Sequence, residues 1–272
     1  MQDLNCFAVS AHAGGVRFQE RIVENRSYEL FKEIMGSSGM KFHNRMKSHS
    51  FSYNIFSMNL KELNEGLKLI ETPQVGLKLM SEENREAGHQ AHREINRLFH
   101  NFLASAKTLI EHTRIFVDKH YKDTPLQQAY TQKIKTEYAE DELCRFIQDL
   151  RNYMLHQGLP HSQMSISFTR EKPDFESTIS LETEKLVSWS RWSAFSKAFL
   201  AKQSKNIKLS ALVTPYGEKI NSLYEWLDAK LLKHHSGDLK ALKKLQIEYQ
   251  RLEQDKSNKS SQQDASGAGA SA

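Results

Sequence analysis

Long apolar runs are missing from this 272-residue chain. No stretch approaches 18 consecutive apolar residues, so no transmembrane helix and no membrane partner are expected. Cysteine is scarce: Cys6 and Cys144 are too few for a disulfide framework, and a reducing, cytoplasmic setting is expected. The opening Met1-Gln2-Asp3-Leu4-Asn5 has neither a basic n-region nor an apolar h-region, so it does not read as a signal peptide. Only 5 prolines and 12 glycines are present, which leaves few helix breakers. Charge of one sign is also lacking. The 38 Lys and Arg against 33 Asp and Glu give a net +5, which permits phosphate contacts without requiring them. Gly-rich phosphate loops and the HExxH and Gly-x-Ser-x-Gly patterns are absent. His234-His235 has no Cys or carboxylate at ligand spacing, so neither a metal nor another cofactor is expected.

What is present reads as helix. Residues 1–80 are the least legible. They hold a short helix from Glu20 to Met35, an alternating run Phe51–Phe56 that reads as a strand, and a helix over Asn59–Ile70 stopped by Thr72-Pro73. From Glu82 to Tyr121 the apolar positions Ile95, Leu98, Phe99, Phe102, Ala106, Leu109, Thr113, Phe116 and Val117 keep a helical period. Thr124-Pro125 ends that helix and caps the next, expected to run from Pro125 to Gln157 and to stop at Gly158. Two long helices joined by a short turn should pack as an antiparallel pair. A small β-hairpin is expected near 164–182, because Ser165–Thr169 and Thr178–Leu181 alternate. Helices resume over Glu184–Lys202, Pro215–Lys233 and Leu239–Leu252, and residues 255–272 read as a disordered tail. The fold class is therefore mainly α: a long antiparallel helix pair within a helical bundle, with a small inserted β-hairpin.

Chemistry is hardest to ignore in Arg151-Asn152-Tyr153-Met154-Leu155-His156. An Arg separated from a following His by four to six intervening residues arises by chance about twice in a chain of this composition. Here it occurs four times, as Arg85/His92, Arg93/His100, Arg114/His120 and Arg151/His156. The first two lie in a charged stretch that reads as solvated. Arg151/His156 instead closes an amphipathic helix, where the negative end of the helix dipole favours cationic side chains. Five residues of regular helix turn through about 500°, which sets the two side chains about 140° apart. They converge only if the helix loosens near Gly158 or if the long arginine reaches round.

The run Phe146-Ile147-Gln148-Asp149-Leu150-Arg151-Asn152-Tyr153-Met154-Leu155-His156 resembles the signature of the HEPN superfamily (higher eukaryotes and prokaryotes nucleotide-binding). In that family an Arg, a polar residue and a His end one of two paired long helices. The resemblance implies an HEPN-like domain over 81–254 and a metal-independent endoribonuclease, a toxin or antiphage-defence effector. Arg151 would hold the scissile phosphate, Asn152 would orient the site, and His156 would move protons. RNA would be required because its 2′-hydroxyl is the nucleophile, giving 2′,3′-cyclic phosphate and 5′-hydroxyl ends. The implied partners are RNA, a second copy in a homodimer, and an antitoxin or sensor encoded next door. Some toxin members carry a Tyr two residues past the His; this chain has Gly158 there.

Plainer readings stand beside these. Arg151 and His156 can be a helix-end pair satisfied by carboxylates and carbonyls, in a non-catalytic helical module that binds protein or RNA. His112 and Arg114, on the partner helix, are candidate RNA contacts or part of a solvated face. Trp189, Trp192, Phe195 and Phe199 read as packed core or interface before they read as a base-stacking platform. Cys144 reads as a buried helix residue.

Overall fold

The structure, a computed structural model, describes residues 25–168 and 175–267, with side chains through Asn258. Residues 20–24 of the expected first helix and the tip of the hairpin lie outside that range. The chain is mainly helical with one small sheet. In order, the elements are α1 (25–36), α2 (Ser38–Glu71), α3 (Pro73–Leu79), a 3-10 turn (Glu82–Asn84), α4 (Arg85–Tyr121), α5 (Pro125–Glu137), α6 (Glu142–Gln157), β1 (Ser162–Phe168), β2 (Phe175–Glu182), α7 (Thr183–Val187), α8 (Ala194–Ala201), β3 (Asn206–Lys208), α9 (Leu209–His234) and α10 (Ser236–Gly267). Among the described residues no helix is long and apolar enough to cross a membrane.

Two compact units share these elements. Of the described residues, 25–47 and 232–267 form the first, and Ser48–Leu231 form the second. In the first, α10 lies against α1 and the start of α2. Arg26 pairs with Glu248 at 2.8 Å, Ser27 donates to Glu253 at 2.6 Å, and Phe42 stacks on His235 with ring centres 4.1 Å apart. Gly39 permits the close approach: a Cβ there would sit 2.6 Å from the Asp238 carbonyl oxygen.

The second unit holds one continuous core. Phe56, Leu60 and Leu63 of α2, Phe99 and Phe102 of α4, Phe146 and Leu150 of α6, Ile179 and Leu181 of β2, and Leu212 and Tyr216 of α9 meet in it. The sheet has the order β1-β2-β3, antiparallel throughout, with Met164 opposite Ile179 and Leu181 opposite Ile207. Gly76 of α3 lies so close to Ser177 of β2 that a side chain there would overlap it.

Several expectations change. Phe51–Phe56 is helix, not strand, because it belongs to the longer series Phe56, Leu60, Leu63, Leu67 and Ile70, buried at helical spacing. The expected helix over 125–157 is two helices, since Asp141 starts a new one by accepting the Cys144 N–H at 2.9 Å. The segment Glu184–Lys202 is likewise split, into α7 and α8. Helix α9 begins six residues before Pro215 and keeps the proline inside, where burial of Leu209, Leu212, Val213 and Tyr216 offsets the lost N–H. Residues 255–267, expected to be disordered, continue α10.

Candidate functional site

Helix α6 carries the Arg–Asn–His run. Its capping Asp141 is gripped by Lys219 at 2.8 Å. Burial works against the Asp141 carboxylate, but Lys219 and the Cys144 N–H outweigh it and hold its pKa below the ordinary range. Phe146, Ile147, Asp149 and Leu150 face inward. Tyr153 stacks on Trp192 with centres 5.7 Å apart, and Phe146 stacks on Phe199 at 4.6 Å. The Trp192 indole donates to the Leu186 carbonyl at 2.7 Å. The aromatic stripe thus holds α6 to the segment over α7 and α8, although Phe195 stays 37% exposed.

The helix does not loosen before its end. Gly158 still donates to Met154 at 3.2 Å, and the chain leaves the helix only there, at φ 91°. Arg151 and His156 therefore keep the angular separation of a regular helix, about 140°. Arg151 and Asn152 are half-buried and His156 is exposed. Among the described residues the side chain of none of the three takes part in a hydrogen bond or ion pair.

The other candidates are tied down and lie elsewhere. His112 holds Ser52 through Nδ1 at 2.7 Å, beside a shallow hollow floored by Ile55 and Thr108. Arg114 grips Glu111 at 2.7 Å, and with Lys107 it holds that carboxyl below its usual range. Arg114 borders a different cavity, of about 410 Å³, between α4, α5, α6 and α9. Neither of these two hollows is lined by Arg151, Asn152 or His156.

Of the remaining Arg–His pairs, Arg93 binds Glu86 at 3.0 Å and His120 packs edge-on against Phe116. Arg85 and His92 were dismissed in the sequence as solvated, yet they border the same hollow, of about 530 Å³. A spacing of seven is nearly two full turns and puts them on one face, a signal available from the sequence alone. His92 is not free, however. Its Nε2 lies 2.9 Å from the Ser162 hydroxyl, which donates to Asn96 at 2.7 Å, so the imidazole joins α4 to β1.

Burial pushes the Cys144 thiol up, with Asp141 adding to it, so Cys144 is inert as a nucleophile. Comparison with known proteins finds no family model, no curated protein and no solved structure that this chain matches.

Proposed function

We propose that the chain is a metal-independent endoribonuclease of HEPN type, with Arg151, Asn152 and His156 as its site. One observation carries this reading. Of the four Arg–His pairs, Arg151/His156 is the one with neither member engaged among the described residues, and it sits at an accessible helix end. Arginine and histidine left unspent are what a phosphate and a proton transfer need. Arg151 would stabilise charge on the phosphate oxygens as the ribose 2′-hydroxyl attacks phosphorus. His156 would take the 2′-hydroxyl proton or protonate the departing 5′-oxygen. The products would be a 2′,3′-cyclic phosphate and a 5′-hydroxyl.

The angular separation on α6 makes a second copy part of the proposal, with Arg151 of one chain facing His156 of its partner across a two-fold groove. Leu155 and Leu159, 61% and 54% exposed, flank His156 and offer an apolar edge for that contact. A cytoplasmic toxin or defence effector, restrained by a protein encoded beside it, is the biological setting the resemblance implies.

The test is cleavage of total RNA by the purified chain in EDTA, with the ends analysed. Cyclic phosphate ends that vanish in Arg151→Ala and in His156→Ala are expected. Intact RNA with the wild type, in both EDTA and magnesium, would overturn the reading.

A non-catalytic helical module that binds protein or RNA is the second reading, and the regularity of α6 up to Gly158 favours it. In that case Arg151→Ala lowers the melting temperature or partner affinity and there is no activity to lose.

A further inference from the structure

The cavity of about 410 Å³ between α4, α5, α6 and α9 has no part in the nuclease proposal, and its chemistry is of another kind. Its size falls in the range of about 300–1,000 Å³ usual for small-molecule sites. Ile110, Ile134, Ile220 and Leu223 make an apolar floor, and Ile220 and Leu223 are buried. Tyr138 and Ala139, in the turn between α5 and α6, complete the wall, so the break in the expected long helix is part of the cavity's construction.

The polar groups are unevenly distributed. Arg114, Lys135 and Arg145 come from three different helices, against one carboxylate, Asp118. Asp118 already accepts from the Gln127 amide at 2.9 Å, and Arg114 is spent on Glu111. The side chains of Lys135 and Arg145 take no hydrogen bond or ion pair among the described residues, and Arg145 is half-buried. Tyr216 also belongs to the wall. It is fully buried, and its hydroxyl finds no hydrogen-bond partner among the described residues.

An apolar floor under two uncommitted cations selects a molecule with an apolar body and one negative end. We propose that this cavity binds a small amphiphilic anion, a carboxylate or sulfonate, with its charged group on Arg145 and Lys135 and its body on Ile110, Ile134, Ile220 and Leu223. A neutral molecule of the same shape would leave the cations unpaired. A bare anion would leave the floor uncovered.

The test uses the full chain and anilinonaphthalene sulfonate, an aromatic sulfonate that brightens in apolar sites, with decanoate and decanol as competitors. A single saturable site is expected, displaced by decanoate and not by decanol. Arg145→Gln should weaken both anions about tenfold, the worth of one charge-assisted contact. Ala139→Trp, at an exposed position on the wall, should abolish binding while circular dichroism and melting temperature stay unchanged. If Arg145→Gln fails to fold, the exposed Lys135→Gln takes its place. Binding that survives Ala139→Trp, or that decanol competes as well as decanoate does, overturns the proposal, as does the lack of saturable binding. RNA cleavage bears on none of these outcomes.

Discussion

The hydroxyl of Ser196 donates to the carboxylate of Asp149 at 2.7 Å, with Asp149 8% exposed and Ser196 fully buried. The same carboxylate oxygen accepts the Ser193 N–H at 3.1 Å, so Asp149 of α6 supplies negative charge to the first turn of α8. Asp149→Ala leaves the Ser193 N–H unpaired and the Ser196 hydroxyl with only its contact to the Ser193 hydroxyl at 3.1 Å. It should cost about 2–4 kcal/mol in urea denaturation. Asp149→Asn should keep part of that. A loss below about 0.5 kcal/mol for the alanine variant would show that the contact is dispensable. Asp149 stands two residues before Arg151, so any nuclease assay on variants of this run must be read beside a melt.

Acid should weaken the second unit through His49. Its ring is 6% exposed, has no hydrogen-bond partner among the described residues, and stacks on Phe116 at 4.2 Å and Tyr224 at 5.5 Å. Burial, with a smaller push from His112, lowers its pKa to about 4. In the unfolded chain the ring takes a proton near the ordinary 6.5. Between those values the unfolded state holds the proton and the folded state does not, so stability falls as pH drops from about 6.5 to about 4. The limit is roughly 3 kcal/mol. The difference between wild type and His49→Phe, measured by urea midpoint at pH 7 and pH 4.5, isolates this group from the other histidines. Parallel curves for the two proteins would rule it out.

Mixing the two site variants tests whether the nuclease groove is shared. If Arg151 of one copy works with His156 of the other, Arg151→Ala and His156→Ala are each inactive alone. Their mixture should regain about a quarter of wild-type cleavage, because random exchange makes half the dimers mixed and each carries one intact groove. No recovery after verified subunit exchange would place both groups in one chain or remove the groove altogether.

Glycines at the two helix ends should respond in opposite directions. Gly158 has open space around a Cβ, but its φ of 91° is hostile to side chains. Gly158→Ala should cost about 1–3 kcal/mol through strain alone, fraying the turn that carries His156. Gly36 also has open space and an ordinary helical backbone. Gly36→Ala should add about 0.5–1 kcal/mol. Thermal melts of the two decide the matter, and equal losses would refute the assignment of strain to Gly158.

The parts legible in the sequence are those where a long period met a strong stop. Helix α4 follows from Ile95, Leu98, Phe99 and Phe102, all buried. Thr124 caps α5, accepting the Gln127 N–H, and Gly158 ends α6. The hairpin follows from short alternating runs. The misread elements had weaker or conflicting local signals. Six residues at Phe51–Phe56 can be drawn on a strand or a helix, and only the burial of Phe56 with Leu60 and Leu63, further along, decides between them. The break at 138–141 carries neither glycine nor proline. It depends on one aspartate among several acidic residues, so it was invisible as a stop. Strand β3 is three residues long and exists because β2 offers an edge. For the candidate site, the sequence located Arg151 and His156 on the right element. It could not foresee that His112 and Arg114 would border separate hollows, because that depends on how α4 meets its neighbours.

The first unit is assembled from two segments far apart in the sequence. Leu30, Ile34 and Phe42 come from the early part of the chain, while Leu242 and His235 come from the late part. A ribosome therefore releases the early helices long before their complement exists, and they must wait through the synthesis of some two hundred residues with apolar faces bare. Removing residues 25–47 strips the late helix of its partner, and removing the late helix strips them in turn.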